Sequence, residues 1–398
     1  MELVTENKAV QREAAALHDI CEEQGAFFHE KLRMVVTNDG DMWLESTLPA
    51  DQNDVLISLP DSCLPRIDPV TFKLVGDDIE IESIEDGALS DTQARCLKHM
   101  LAIYNATGKV KQHRATSPWF ALTDHHEVFD AIFAGRKGAP RLDDQYERLR
   151  TEGVSDDVVI QSFLGTRKYG ALEQSTLMPF IDYANHDSRA PAFQPGHRAG
   201  HPHHQVAILN SQPADDGGQV LVRYSQLDPL DAYLSYGFVD TSTHLVRSTP
   251  LTIDLDVGEI AAESRIGAKN KKKRPEPGVK DLRGYLPMIL ENADGRVTVS
   301  HVLLPEAGSP FALRRILNWL IRKHESDIGL KRMGRLVDEA ERQILEANRA
   351  YYDDLEAKVR AAPDLPEAQR AMLNTLIRHQ REAMDAYVDR LTPAEETA

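Results

Sequence analysis

The spacing of apolar positions predicts helices and strands in the first part of the chain. Residues 9–23 and 91–107 place apolar side chains at helical intervals, and Gly108 ends the second of these stretches. Between them, residues 42–49 and 54–60 form short apolar runs bounded by Asp, Gly and Pro, which predict β-strands. The amino-terminal part is therefore predicted to mix helix with strand.

The pattern changes twice further along the chain. Residues 117–164 are predicted to be mostly helical, and residues 177–239 are predicted to be strands and turns, with the segments LMPFIDYANH, HQVAILN, QVLVRY and YLSYGFV. Three strong amphipathic helical patterns follow, at residues 311–324, 334–361 and 367–391. They predict a helical carboxy-terminal domain.

Composition and charge narrow the class of protein and its partners. Of 398 residues, 41% are apolar and 27% are charged, which is ordinary for a globular protein. The 63 acidic and 46 basic side chains leave a net charge of -17, which argues against nucleic acid as a partner because phosphate neutralisation needs a basic face. With no apolar run of membrane-spanning length and no secretory signal, we expect no membrane contact and a cytoplasmic location.

The cysteines, histidines and basic residues suggest no metal site. Cys21, Cys63 and Cys96 lie far apart without a CxxC or CxC pair, so we expect neither a disulfide framework nor a thiolate zinc cluster. A Pro- and Gly-rich loop carries four histidines that are able to bind a divalent metal: His197, His201, His203 and His204. Such loops are commonly solvated, and so is the basic run of residues 269–274. We therefore predict no metal.

One arrangement of short motifs carries the chemistry. Phosphate loops, GxGxxG turns, GxSxG elbows and HExxH helices are missing from the sequence. What remains is Arg167, then IDYANHD at residues 181–187, then Tyr224, and then YLSYGF at residues 233–238. These motifs fall in the region predicted to return to β structure.

This arrangement resembles the SET-domain methyltransferases, in the branch of the Rubisco large-subunit lysine methyltransferase, which also includes an actin histidine methyltransferase. The branch has an Arg, an apolar run that ends in D-x-x-N-H-S, and a Tyr twelve or thirteen residues before Y-G-F or S-G-F. In this chain Asp182, Asn185 and His186 match the D-x-x-N-H spacing, and Tyr224 stands twelve residues before Tyr236. DVLISLP, the S-x-W of residues 117–119 and the helical carboxy-terminal part resemble the branch as well.

The chain departs from the branch in three places. The branch has a G-x-G beside the first strand, where the backbone approaches the methionine part of the cofactor, and this chain has the single Gly40 in NDGDMWLES. An S-N-A-E after the Tyr is replaced by residues 228–231, DPLD, and the Ser after N-H is replaced by Asp187.

The resemblance implies an α+β fold. It implies a SET-domain β-fold over residues 1–250, with an inserted helical subdomain at about residues 64–165, and an all-α domain over residues 251–398 that is similar to a substrate-binding domain. The implied cofactor is S-adenosylmethionine, and the implied partner is a protein substrate. The cofactor-binding residues are then Arg167, Asp182, Asn185, His186 and Phe238, and the catalytic residues are Tyr224 and Tyr236.

The residue types fit such a ligand. S-Adenosylmethionine is a cationic sulfonium with an amino-acid end, which needs polar groups, and an adenine end, which needs an apolar surface. Asn185 and His186 offer hydrogen bonds, Arg167 can meet the carboxylate, and Phe238 can cover the purine. Methyl transfer depends mainly on positioning and on removing water from the acceptor amine. Two tyrosines, Tyr224 and Tyr236, would line a narrow channel for it.

Three interpretations of function remain open from the sequence. The first is a protein-lysine N-methyltransferase, because that is the activity of the branch that the motifs resemble. The second is transfer to a histidine nitrogen, since both acceptors occur among the relatives. The third is a noncatalytic SET-like protein-binding module, which the single Gly40 suggests.

Overall fold

A computed structural model of the chain describes residues 1–48, 54–137, 140–170, 175–210, 218–225, 227–243, 245–253, 288–291, 297–300, 303–305, 312–324 and 327–391. The basic run of residues 269–274 lies outside the described residues. The described strands are β1 Glu2–Thr5, β2 Phe27–Phe28, β3 Leu32–Val36, β4 Met42–Ser46, β5 Val55–Pro60, β6 Val70–Val75, β7 Asp78–Ile84, β8 Asn185–His186, β9 His204–Leu209, β10 Gly218–Gln219, β11 Leu221–Val222, β12 Leu245–Arg247, β13 Leu251–Thr252, β14 Met288–Glu291, β15 Val297–Ser300 and β16 Leu303–Pro305.

Helices alternate with these strands, so the chain is an α+β protein. The described α-helices are α1 Lys8–Glu23, α2 Asp91–Ala106, α3 Lys109–Thr116, α4 Pro118–Ala121, α5 His126–Ala134, α6 Pro140–Glu152, α7 Asp156–Gly165, α8 Pro229–Tyr236, α9 Ala312–His324, α10 Leu330–Ala361 and α11 Glu367–Leu391. Short 3-10 helices occupy Asp61–Cys63, Ile181–Tyr183 and Gly196–Ala199.

The chain divides into two compact units, and the first holds most of the strands in small sheets. This unit comprises Met1–Thr116 and Glu152–Gln226. One sheet has the order β1-β3-β4-β10, with β1 parallel to β3 and the other pairs antiparallel. A second sheet places β5 between β2 and β9, β6 and β7 form a hairpin, and β8 pairs with β11 in parallel.

Helices α1 and α2 pack against each other in the first unit. The Asn7 side chain caps α1 by accepting from two backbone N–H groups, and Ser90 with Gln93 forms a capping box at the start of α2. Each helix buries one apolar face, which is the face that the helical spacing predicts. The buried residues are Val10, Ala14, Leu17, Ile20 and Cys21 in α1 and Cys96, Leu97, Met100, Leu101, Ile103 and Tyr104 in α2.

The three cysteines come together in the core of this unit, which their spacing did not predict. Cys21, Cys63 and Cys96 are free and fully buried, although they belong to α1, a 3-10 helix and α2. The Sγ of Cys63 lies 3.9 Å from the carbonyl oxygen of Cys21. Hydrogen bonding to the two other thiols raises the pKa of Cys21, so it stays protonated at neutral pH.

The second unit comprises Ser117–Thr151 and Leu227–Ala398, and long helices dominate its described part. Helix α10 packs against α9, α11 and α5, and its buried face includes Val337, Ile344 and Leu355. The antiparallel pair β12 and β16 and the three-stranded sheet β13-β15-β14 complete it. The helices predicted at residues 311–324, 334–361 and 367–391 are confirmed as α9, α10 and α11.

A buried ion network lies at the start of α8 in the second unit. Arg136, with no exposed surface, donates from Nη2 to Oδ2 of Asp228 (2.5 Å) and from Nε to Oδ1 of Asp231 (2.6 Å). Its Nη1 donates to the carbonyl oxygen of Gly135 (2.7 Å). Asp228 is also the N-cap of α8, where it forms a capping box with Asp231. The DPLD run therefore has a structural role.

The prediction of strands and turns at YLSYGFV was wrong. Residues 229–236 form α8, because Asp228 caps it and Pro229 occupies its first turn, where a missing N–H costs nothing. LMPFIDYANH, which was predicted within the same mixture of strands and turns, contains the 3-10 helix Ile181–Tyr183 and the strand β8. Within the predicted helical insertion, the structure has the hairpin β6–β7 as well as helices. The domain boundary at residue 250 stays a prediction.

None of the helices in the described part of the chain combines the length and the apolar character that crossing a membrane requires.

Candidate functional site

The centre of the candidate site is the buried carboxylate of Asp182 in the first unit. Its side chain is 6% exposed, and its Oδ2 accepts from Nη1 of Arg167 (2.9 Å) and from the hydroxyl of Tyr104 (2.6 Å). Asp182 lies in the 3-10 helix that follows Phe180, whose φ of 62° is positive. A positive φ in a bulky residue is strained, and such strain is held where the surroundings fix the chain.

Aromatic rings and the Asp182 carboxylate hold the guanidinium of Arg167. Its Cζ lies 4.7 Å from the centre of the Phe163 ring and 5.0 Å from that of Tyr104, which are cation–π distances. Burial alone lowers the pKa of Arg167, but the Asp182 carboxylate raises it above its ordinary value. The Nε of Arg167 is buried and has no hydrogen-bond partner among the described residues. The guanidinium is therefore charged and not fully satisfied.

The Asn185–His186 pair and Tyr224 lie next to each other in the structure. Strand β8 pairs in parallel with β11, which places Asn185 opposite Leu221 and His186 opposite Val222. The backbone N–H of Tyr224 donates to Nδ1 of His186 (3.0 Å), across 38 positions of the sequence. The Nδ2 of the exposed Asn185 donates to Oε1 of Gln219 (2.9 Å).

The Tyr224 side chain lies beside this parallel pair. Its hydroxyl donates to the carbonyl oxygen of Ala184 (2.6 Å), the residue before the Asn185–His186 pair. Its ring is stacked with Phe193, with centres 6.3 Å apart, and its centre lies 5.0 Å from that of His186. These contacts fix the direction of the hydroxyl, which is a requirement for a group that orients a reactant.

Asp187, the residue after the Asn185–His186 pair, closes the turn that follows β8. Asp187 is buried, and its carboxylate accepts from the backbone N–H of Arg189 (2.7 Å) and from Nη2 of the same residue (2.7 Å). The Asp187 side chain therefore accepts hydrogen bonds from its own turn, as Ser and Asp side chains commonly do.

The single Gly40 is required by a close approach of two elements. It lies in the turn between β3 and β4 with a φ of +87°, and a Cβ at this position would overlap the carbonyl oxygen of Thr107. Gln112 of α3 donates from Nε2 to the carbonyl oxygen of Asp39 (3.1 Å). The Gly40 turn is therefore packed directly on the junction between α2 and α3.

Tyr236 and Phe238 belong to the second unit. Tyr236 is the last residue of α8, and Gly237, with a φ of 75°, ends the helix. The ring centres of Tyr236 and Phe238 are 5.9 Å apart. The roles predicted for these two residues stay predictions.

The histidine-rich loop packs against the β2-β5-β9 sheet. His204 hydrogen-bonds through Nδ1 to Oγ of Ser58 (2.8 Å), and its ring stacks on that of His201 at 4.9 Å. In the part of the chain that the structure describes, the group of His, Cys, Asp or Glu ligand atoms close enough to hold a metal is a different one, on α1: His18, Asp19 and Glu22.

Four residues next to Asp182 and Arg167 were not predicted from the sequence: Tyr104, Lys109, His113 and Phe163. Tyr104 and Phe163 read as core positions of amphipathic helices, so no pattern distinguished them from packing residues. Burial, together with the positive charge of Arg167, lowers the pKa of His113 to about 3. Burial, together with Arg167, lowers the pKa of Lys109 to about 8. Both groups titrate far from their ordinary ranges, which is typical of functional sites.

No protein-family model and no curated protein matches the chain. Among solved structures it is similar to the SET domain of LSMT bound to methyllysine and AdoHcy, at 13% identity over 97% of this chain and 91% of that chain, with a TM-score of 0.46. It is also similar to the SET domain of LSMT bound to lysine and AdoHcy (14% identity, 96% and 90% covered, TM-score 0.38). A third is Rubisco LSMT bound to sinefungin and monomethyllysine (13% identity, 96% and 90% covered, TM-score 0.41).

Proposed function

We propose that the chain is an S-adenosylmethionine-dependent protein methyltransferase that modifies a lysine side chain. The observation that carries the proposal is the contact between the separate motifs in the first unit. Tyr224 bonds to His186 through its backbone and to Ala184 through its hydroxyl, and Asp182 holds Arg167. Residues that the resemblance groups by function are thus neighbours in the fold.

The residues present fit such a cofactor. The buried Nε of Arg167 has no partner among the described residues, and a cofactor carboxylate would supply one. The exposed amide of Asn185 and the half-buried His186 offer polar contacts one strand away from Tyr224. We assign Arg167, Asp182, Asn185 and His186 to the cofactor and keep Phe238 as the predicted cover of the adenine. When bound, the cofactor supplies an electrophilic methyl group on a cationic sulfonium.

Tyr224 is assigned to the acceptor amine. A lysine amine has an ordinary pKa of about 10.4 and attacks only when neutral. Burial beside positive charge favours the neutral amine. A hydroxyl that donates to a carbonyl has oxygen lone pairs that accept an N–H, and the bond to Ala184 sets their direction. Tyr224 thereby orients the attacking lone pair, and the channel role of Tyr236 stays a prediction from the resemblance.

The substrate experiment uses the full chain with isotopically labelled cofactor and a cell lysate. We expect labelled protein, with the label on lysine after peptide mapping. Label on histidine would replace the lysine assignment by the histidine alternative. Absence of label, together with absence of cofactor binding, would contradict the enzyme and leave a noncatalytic SET-like module as the interpretation.

The Tyr224→Phe variant tests the catalytic assignment. It removes one hydroxyl and keeps the ring that stacks on Phe193. We expect the single-turnover rate to fall by about 100-fold or more, as for loss of one preorganised polar group at a reacting centre, with little change in cofactor affinity. Tyr169→Phe is the matched control, because its ring also contacts Phe193, at 6.0 Å. A folded Tyr224→Phe protein with the wild-type rate would remove Tyr224 from the catalytic residues.

A further inference from the structure

Lys109 carries a buried ammonium group with few partners. It is the first residue of α3, and its side chain is 13% exposed. Its Nζ donates to Oε1 of Gln112 (2.9 Å), and Oδ1 of Asp41 lies 3.8 Å away, which is too long for a hydrogen bond. An ammonium has three N–H groups, and in the described part of the chain one of them has a partner. Burying a charge in this way is costly unless something else satisfies it.

The charges around Lys109 do not compensate for its burial. Burial and the positive charge of Arg167 lower its pKa to about 8, although the carboxylates of Asp41, Asp182 and Asp39 raise it. These groups come from the β3–β4 turn, the 3-10 helix Ile181–Tyr183 and the segment after α7, and they are the charged groups that act on Lys109 most strongly. Geometry places the two cations in the same region: one turn after Lys109 in α3, the His113 ring lies 5.8 Å from that of Phe163, and Cζ of Arg167 lies 4.7 Å from the centre of the same Phe163 ring.

A purely structural role explains this arrangement less well. The turn that contains Asp41 is already held by the bond from Gln112 to the Asp39 carbonyl and by the packing of Gly40 on Thr107. Holding the turn therefore does not need a charge at residue 109. An apolar side chain would fill the same space without the cost of burying an ammonium.

We propose that Lys109 and Arg167 together form a carboxylate subsite for the amino-acid end of the cofactor, with the neighbouring carboxylates facing its ammonium group. This inference rests on the proposed function, and it adds a residue that the sequence motifs do not contain. The ligand class is an α-amino-acid zwitterion, because anionic and cationic side chains lie together. Lys109 is assigned to binding and has no part in methyl transfer itself.

Calorimetric titration with two ligands tests the subsite. S-Adenosylhomocysteine has the amino-acid end, and methylthioadenosine lacks it. We expect Lys109→Met to weaken S-adenosylhomocysteine by about 10- to 100-fold, the loss of one charge-assisted hydrogen bond, and to leave methylthioadenosine unchanged. Lys111→Met, which removes an exposed lysine of the same helix, is the matched control and should bind both ligands like wild type. Thermal unfolding of each variant confirms that it is folded.

Three results would overturn the inference. Wild-type affinity of a folded Lys109→Met protein for S-adenosylhomocysteine would show that no subsite exists there. Equal weakening of both ligands would show that Lys109 acts through the fold. Failure of wild type to bind S-adenosylhomocysteine would overturn the proposed function as well, so the two failures are distinguishable.

Proton uptake on binding provides a second readout. A carboxylate beside Lys109 raises its pKa from about 8, so binding at about that pH takes up a fraction of a proton. Titration of S-adenosylhomocysteine in two buffers of different ionisation enthalpy measures this uptake. Lys109→Arg keeps the charge and stays protonated, so we expect nearly wild-type affinity at neutral pH and a loss of the uptake. Equal uptake in wild type and Lys109→Arg would contradict the subsite.

Discussion

The two units of the molecule each bury a cluster of charges, and they satisfy it to different degrees. In the second unit, Arg136 reaches two carboxylates, Asp228 and Asp231, and a carbonyl oxygen within 2.5 to 2.7 Å. In the first unit, Lys109 has one hydrogen bond among the described residues, and Nε of Arg167 has none. Arg136 finds its partners within its own unit, whereas we propose that the partly satisfied cations of the first unit bind a ligand.

The pKa shifts express the same difference. Burial alone lowers the pKa of Arg136, but Asp228 and Asp231 raise it above its ordinary value. In the first unit, burial lowers the pKa of Lys109 to about 8 and that of His113 to about 3. Carboxylates thus keep Arg136 charged in the second unit, whereas in the first unit Lys109 and His113 are shifted towards the neutral form and Asp182 keeps Arg167 charged.

Removing the central cation of the second unit is expected to have the largest effect. Arg136→Met leaves the buried carboxylate of Asp228 without its cation and Asp231 with Arg247 alone (3.3 Å), and breaking a buried ion pair typically costs about 3 to 5 kcal/mol of unfolding free energy. Urea denaturation followed by circular dichroism measures it. Arg342→Met is the matched control, because Arg342 also bridges two carboxylates, Glu339 and Glu346, but on an exposed face of α10. We expect its unfolding midpoint to match wild type.

An equal loss in both arginine variants would contradict the distinction between buried and exposed networks. A stable Arg136→Met protein would show that Asp228 and Asp231 are satisfied without Arg136. In that case Asp228 would be held by its other donors, the backbone N–H of Arg247 (2.9 Å) and Nε2 of Gln380 (3.2 Å).

A smaller effect is expected from His113 in the first unit. In the folded chain its pKa of about 3 keeps it neutral, whereas the unfolded chain binds a proton below a pKa of 6.5. The contribution of neutral His113 to the free energy of unfolding is therefore complete above about pH 6.5 and is lost as the pH falls towards 3. Between neutral pH and pH 5, wild type should lose about 2 kcal/mol more than His113→Gln. Chemical denaturation at each pH measures the difference.

The control for this titration is His203→Gln, which changes an exposed histidine of the same unit. Its pH dependence should follow that of wild type. Parallel curves for wild type and His113→Gln would mean that His113 has the same pKa in the folded and the unfolded chain. The claim that burial keeps His113 of the first unit neutral would then be wrong.

The sequence predicted the parts of the fold that depend on local periodicity. Helices α1, α2, α10 and α11 each bury one regular stripe, so their spacing was sufficient. The region around α8 was predicted as strands and turns because its apolar residues are dense. The decisive signal was local but different: Asp228 as a cap, Pro229 in the first turn and Asp231 three residues after the cap.

The candidate site was predicted as far as short motifs reach. Spacing pointed to Asp182, Asn185, His186 and Tyr224, which the structure places within one unit and whose roles stay predictions. It did not identify Tyr104, which meets Asp182 across 78 positions of the sequence, because a buried tyrosine in an amphipathic helix has the pattern of a core residue. The charge of Lys109 likewise gains its meaning from burial, and burial is a property of the folded chain.

The central claim is that the first unit binds S-adenosylmethionine through the residues around β8. Isothermal calorimetry of the full chain with S-adenosylmethionine tests it directly, with Asn185→Ala as the comparison. We predict saturable binding by wild type, weakened in the variant by roughly 1 to 3 kcal/mol because the hydrogen bonds of the Asn185 amide to the charged cofactor are lost. No saturable binding by wild type at millimolar concentrations would contradict the claim, and equal affinity in the folded variant would remove Asn185 from the site.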